Sequence, residues 1–166
     1  MPSKICRSFG RFMIFALLAG AGLVSLTPAR SAGAPEAQGA QIEGSWYTQV
    51  TVRDCGTNAA LRSFSAINTF ARGGTLIDTT AGVPPSLRSP GHGLWERTAG
   101  RTYRAMTIAL LFNAAGVATG TQKLTQTIEI GTDRNTLNST AVTEMYDTNG
   151  VLTSSGCATA VGRIIL

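Results

Sequence analysis

Residues 43–52 read EGSWYTQVTV. A tryptophan follows Gly44 by two positions, at the start of the first alternating stretch of the chain. Alternation with period two, carried by β-branched and aromatic residues, is the pattern of a half-buried strand. The rest of the chain repeats this rhythm, so the segment reads as the first strand of a small β-barrel. Trp46 then belongs to the seam where that barrel closes.

Seven further strands are predicted, at residues 63–70, 75–80, 94–98, 101–112, 117–130, 136–146 and 151–165, after a first at 44–52. The segments between them include RGG (72–74), AG (99–100), NAAG (113–116), GTDRN (131–135) and DTNG (147–150). Most connections have hairpin length. One is longer: AGVPPSLRSPGHG, with three prolines and three glycines. Sequential hairpins pair neighbours in sequence and produce a meander. Eight meandering strands can close on themselves and leave no exposed edge. The expected fold is therefore all-β, an eight-stranded antiparallel up-and-down barrel. At this strand number the interior holds side chains or one small ligand.

The first 31 residues stand apart. MPSKICRSFGR carries Lys4, Arg7 and Arg11 with no acid; Phe12 to Leu26 is apolar; TPARSAGAPEA is small and polar. This order is that of a secretory signal peptide, with a membrane anchor as the alternative. The apolar run is short for a span of about 20 residues. Ala29-Arg30-Ser31 places cleavage before Ala32, whereas Ala32-Gly33-Ala34 would put Pro35 just after the cut. Residues 32–41 read as a flexible leader, and 42–166 as the barrel domain. The protein is thus expected outside the cytoplasm, in a periplasm or beyond it, without a stable membrane span once the signal is removed.

The 166-residue chain carries 14 basic and nine acidic residues. Lys4, Arg7, Arg11 and Arg30 leave with the signal, so ten bases face nine acids and the net charge falls to +1. No basic footprint for nucleic acid remains. Charged residues make up only 14% of the chain, against about 25% in ordinary domains. Cys6 leaves too, and Cys55 with Cys157 form an even pair in an exported chain, for which a disulfide is the default reading. With His92 the lone histidine and no close ligand cluster, no metal site is expected, and no cofactor is indicated.

In a closed meander the first and last strands pair antiparallel, so facing residues have a nearly constant index sum. That sum is 212 for Cys55 with Cys157 and 209 for Trp46 with Arg163. The difference is within the slack of a bulge or a diagonal contact. One register then joins the cysteines at one end and sets Arg163 against the Trp46 indole at the other, where a guanidinium could stack.

Gly44-x-Trp46 on the first strand and Arg163 on the last resemble the lipocalins and wider calycin barrels. EGSWYTQV is also similar to the first strand of avidin-type barrels. The resemblance implies a barrel with Gly44, Trp46 and Arg163 as structural seam residues. Three departures limit it: no helix is expected after the last strand, the lipocalins' second and third loop motifs are not found, and only Trp46 and Trp95 are present, so biotin binding is not implied. Residues 89–103, SPGHGLWERTAGRTY, resemble a segment of small exported bacterial proteins of unknown function.

Three functional readings follow. The first is an interior that binds a small, mostly apolar molecule. Ser154, Gly156, Ala158, Ala160 and Gly162 form a small face on the last strand that would leave room. Met106, Ile108, Leu110 and Phe112 share one face of the fifth strand and are expected to line that space, with Trp95 as a wall. The second reading is a barrel enzyme, an isomerase or cyclase. It would use His92 and Glu96 for proton transfer, with Glu96 or Asp78 orienting the imidazole. His92 and Glu96 are four apart and share a strand face unless Gly93 interrupts it. The third is a structural or protein-binding barrel that uses its outer face or forms oligomers.

Overall fold

The computed structural model describes residues 41–165, and these form one closed barrel. The expected signal peptide and most of the leader lie outside the described residues. The strands are β1 (Gly44–Arg53), β2 (Ala60–Ala71), β3 (Thr75–Thr80), β4 (Gly91–Ala99), β5 (Thr102–Phe112), β6 (Ala118–Ile130), β7 (Thr136–Asp147) and β8 (Leu152–Ile164). Each pairs antiparallel with its sequence neighbours, and β1 pairs with β8. This is the up-and-down barrel that the turn spacing predicts. The strands differ from expectation mainly at β2 and β4, each of which begins three residues earlier.

Side-chain alternation divides the barrel into a filled end and a hollow end. At the filled end Trp46, Phe70, Leu76, Tyr103, Ile128 and Leu137 are buried in one apolar cluster. Ile42 covers it from the segment before β1, and its carbonyl accepts a 2.8 Å hydrogen bond from Trp46 Nε1. Trp95 packs edge-to-face on Phe70 and Tyr103, with centroids 6.3 and 5.9 Å away. Edge-to-face pairs of this kind add to the area term of burial. The tryptophan of the opening stretch is thus the centre of the barrel floor.

The seam corrects the expected partner of that tryptophan. Tyr47 faces Arg163, Trp46 faces Ile164 and Arg53 faces Cys157. The index sum is 210 throughout, an even number. Facing residues in an antiparallel pair project to the same side of the sheet, so an even sum joins positions of equal parity. Arg163 shares the outer face of Tyr47 and is exposed, while Trp46 points inward. Among the described residues no guanidinium caps the indole; Ile42 and Ile164 pack there instead. The disulfide is formed as expected: Cys55 and Cys157 are bonded with Cα atoms 5.3 Å apart. Cys55 lies two residues beyond the end of β1, so the bridge ties the β1–β2 connection to β8 at the hollow end.

Candidate functional site

Four connections surround the hollow end: β1–β2, β3–β4, β5–β6 and β7–β8. Exposure along β8 tracks the depth of the hollow. Ser154 and Ser155 are exposed, Gly156 to Ala160 are half-buried, and Gly162 is buried at the floor. Ser154, Gly156, Ala158 and Ala160 border a cavity of about 230 Å³. The small face of β8 therefore does open space within the barrel. Val50, Phe64, Ala66, Leu124 and Ala141 supply apolar walls.

Between this cavity and the apolar floor lies a belt of polar side chains. Thr48 stands two residues above Trp46, Asn68 above Phe70, Asp78 above Leu76, Gln126 above Ile128 and Ser139 above Leu137, and all five are buried. Asn68 Nδ2 donates to Thr48 Oγ1 at 3.2 Å, and Thr48 Oγ1 donates to the Ala66 carbonyl at 3.1 Å. Asn68, Asp78, Gln126 and Ser139 border the cavity.

Arg88 completes the belt from the β3–β4 loop. The loop runs along the end of β5, where Phe112 N donates to Leu87 O and Ser89 N to Leu110 O. Those bonds place Arg88 opposite Leu111 in an isolated bridge. The arginine enters the barrel with its side chain 4% exposed, and its Nη2 lies 2.7 Å from Asp78 Oδ2. Its Nε donates to Gln122 Oε1, and its Nη1 to the Ser89 carbonyl. A cation from one side of the barrel is thereby held between β3 and β6. Gly91 makes this approach possible, since a Cβ there would collide with the Asp78 carboxylate. At the rim, Arg62 stacks 5.1 Å from the Phe64 ring centroid and donates to the Gly82 carbonyl.

Several expected site residues lie elsewhere. His92 and Glu96 do share one strand face, but that face is the outside of the barrel, and both are exposed. His92 sits between Ile77 and Ile108 in register, all three outward. Asp78 faces Gly91 and points inward, so the expected trio is divided by the sheet. Met106, Ile108 and Leu110 are exposed on the outer face, and Phe112 is half-buried at the end of β5. None of the four borders the cavity. The inward face of β5 is instead Tyr103, Ala105, Thr107 and Ala109. Large side chains from other elements, Trp95 at the floor and Arg88 above it, occupy the space that β5 was expected to fill. Trp95 belongs to the floor and not to the cavity wall; its Nε1 donates to the carbonyls of Ala71 and Thr75.

Asn68, Arg88, Gln122, Gln126 and Ser139 were not foreseen as site residues. For Asn68, Gln122, Gln126 and Ser139 the signal is a polar residue two places from a large apolar one, on β2, β6 and β7; Arg88, in a loop, carries no such signal. No protein-family model matches this chain, and comparison with curated proteins gives no match.

Proposed function

We propose that this protein is an exported, calycin-like barrel that binds a small, mostly apolar molecule in its interior. The observation that carries this reading is the division of the lumen. One end is filled by a tryptophan-centred core, and the other keeps a cavity of about 230 Å³ with apolar walls and a few polar points at its base. Pockets for small organic molecules have this composition. The Cys55–Cys157 bond supports an oxidising compartment, in agreement with residues 1–31 being a signal peptide. Location is then periplasmic or extracellular. Because His92 and Glu96 face solvent, the interior offers neither of them for proton transfer. Placement thus favours binding over the isomerase or cyclase reading.

Native mass spectrometry of the protein purified from its own host tests this directly. A reproducible adduct of small-molecule mass, lost in Ala158→Phe, supports the interior site. A clean apo mass weighs against it.

A second reading rests on a separate observation. Ile67, Ile77, Leu94, Met106, Ile108 and Leu110 are all exposed on the outer face of β2–β5. Contiguous apolar surface is unusual on a monomer and marks contact faces. Sedimentation velocity of the wild type and of Ile108→Lys distinguishes association through this face from a monomeric barrel.

A further inference from the structure

We infer that the outer face of β2–β5 is the contact of a symmetric homodimer, centred on the row Ile77–His92–Ile108, and that the charge on His92 sets its strength. The inference rests on the outer-face reading above and names for it the partner, a second copy of this chain, and its regulation. The exposed residues are contiguous through the register. Ile77 faces His92, which faces Ile108 on the next strand. Leu94 and Met106 face each other one step along, and Leu110 continues β5 in the other direction. Ile67 lies diagonal to Ile77 across β2 and β3. These apolar side chains are between 39% and 65% exposed. On β6–β8 the exposed large hydrophobics are Val142, Leu152 and Val161, and no two of them face each other. Scattered residues of that kind are ordinary; a continuous patch on one side of a barrel is not.

Size and charge select the occupant. The patch presents roughly 600 Å² of apolar surface, at the top of the range for a monomer's largest patch. Two such faces with their polar borders would bury about 1,200–1,600 Å², the size of a stable, specific interface. The charges beside the patch in register are Glu96 opposite Arg104, and Lys123, which bonds Glu144 at 2.9 Å. Two acids balance two bases, so the border favours neither an acidic nor a basic partner. A twofold contact needs a surface that complements itself, as a neutral apolar face with both signs of charge at its edge does.

Among the described residues, His92 is the one ionisable group inside the patch. Its register neighbours on β3 and β5 are Ile77 and Ile108. Beyond Ile108, Lys123 and Glu144 keep each other ionised: their hydrogen bond raises the pKa of the lysine and lowers that of the glutamate. Imidazole changes charge between about pH 5 and 8. Neutral, it can be covered by a second copy. Protonated, it sets a cation among isoleucines, and burial disfavours the charged form. Each copy contributes one His92, so acid opposes the contact twice.

Sedimentation velocity of the disulfide-bonded protein, over a concentration series at about pH 8 and about pH 5.5, tests this. A dimer is expected, with a Kd about tenfold or more higher at the lower pH, since two imidazoles must give up their charge to be buried. Leu94→Lys and Ile108→Lys, both at exposed positions, are each expected to leave a folded monomer, and Val161→Lys on β8 to leave the dimer intact. His92→Gln is expected to dimerise equally at both pH values. A wild-type dimer of equal Kd at both, or a pH response that survives His92→Gln, overturns the inference and leaves the outer-face reading standing. So does an assembly larger than two chains. A monomer throughout overturns both, as does a dimer that persists in folded Leu94→Lys and Ile108→Lys.

Discussion

Arg88 Nη2 and Asp78 Oδ2 meet at 2.7 Å inside the barrel, with side chains 4% and 5% exposed. The pair joins the longest connection of the barrel to the inward face of β3. Removing one partner of a buried pair leaves the other charge uncompensated, at a cost of about 3–5 kcal/mol. Asp78→Ala is therefore expected to lower unfolding stability by that amount in urea titration. The double variant Asp78→Leu/Arg88→Met should recover much of the loss, because apolar replacement of a buried pair is often neutral or better. A double variant as unstable as the single would show that the charges stabilise beyond their mutual compensation.

Trp46 and Arg163 make a contrasting test of the seam. Trp46 is fully buried at the floor. Its truncation to alanine should cost about 3–5 kcal/mol. Arg163 is exposed on the opposite face of the seam, so Arg163→Ala should change stability by less than about 0.5 kcal/mol. Chemical denaturation of both variants measures the pair. A large loss at Arg163 would contradict the register in which it faces Tyr47.

The Cys55–Cys157 bridge closes a long loop, with a sequence separation of 102. Chain-entropy reasoning assigns such a bridge about 4–5 kcal/mol, often less in practice. The Cys55→Ser/Cys157→Ser variant is expected to lose about 2–5 kcal/mol while keeping a β-rich circular dichroism spectrum, because the floor lies at the other end. Thiol labelling of the folded, unreduced protein should find neither cysteine reactive.

Two turns carry a pH signature. The amides of Thr57 and Gly56 and the Thr57 hydroxyl donate to the Asp54 carboxylate, and these bonds hold its pKa below the ordinary 3.8. Asp133 is lowered in the same way by Thr136 and Asn135. A depressed folded pKa means that the stabilisation is present above the unfolded value and is lost as pH falls through the folded one. Protection of the Thr57 and Thr136 amides in hydrogen exchange should therefore drop as the solution is acidified below pH 3.8. Asp54→Asn should remove most of that dependence at Thr57 alone. A flat profile in the wild type would contradict the turn geometry.

Gly93 tests how tightly β4 and β5 are joined. A Cβ at this position would collide with the Met106 backbone carbonyl. Because the obstacle is backbone and not a flexible side-chain end, Gly93→Ala should destabilise by about 1–3 kcal/mol, the range of overpacking. Thermal denaturation measures it.

The barrel itself was legible because its signals are local. Hairpin turns and period-two stretches lie within a few residues of one another, so strand number, order and closure could be read along the chain. The disulfide was legible from cysteine count and compartment. The phase of β5 was not. Its two faces are both apolar at several positions, and hydropathy alone put the larger residues Met106, Ile108 and Leu110 inside. What decides the phase is distant in sequence: Trp95 and Arg88 occupy the lumen there, and small residues such as Ala105 and Ala109 fit beside them. Trp46 lies at the floor as the sequence suggests, but its expected partner differs, because the distance between two residues on separate strands does not fix the register to a single position: the seam runs one step from the expected sum, and that step moves Arg163 to the outer face opposite Tyr47. Arg88 was hidden in a stretch that reads as a proline-rich loop. Its inward course depends on Leu87 and Ser89 bonding the end of β5, a contact between segments more than 20 residues apart.

Because successive hairpin turns fall at opposite ends of a meander, the alternate connections of this chain answer to different constraints. Those at residues 54–59, 81–90, 113–117 and 148–151 ring the hollow end. Residues 41–43 and the other three turns ring the aromatic floor. Distant substitutions act on stability independently, so rim changes that leave Arg88 and the disulfide in place can reshape the cavity mouth while the floor preserves the fold. The same eight strands thus form a scaffold whose open end can diversify without renegotiating its core.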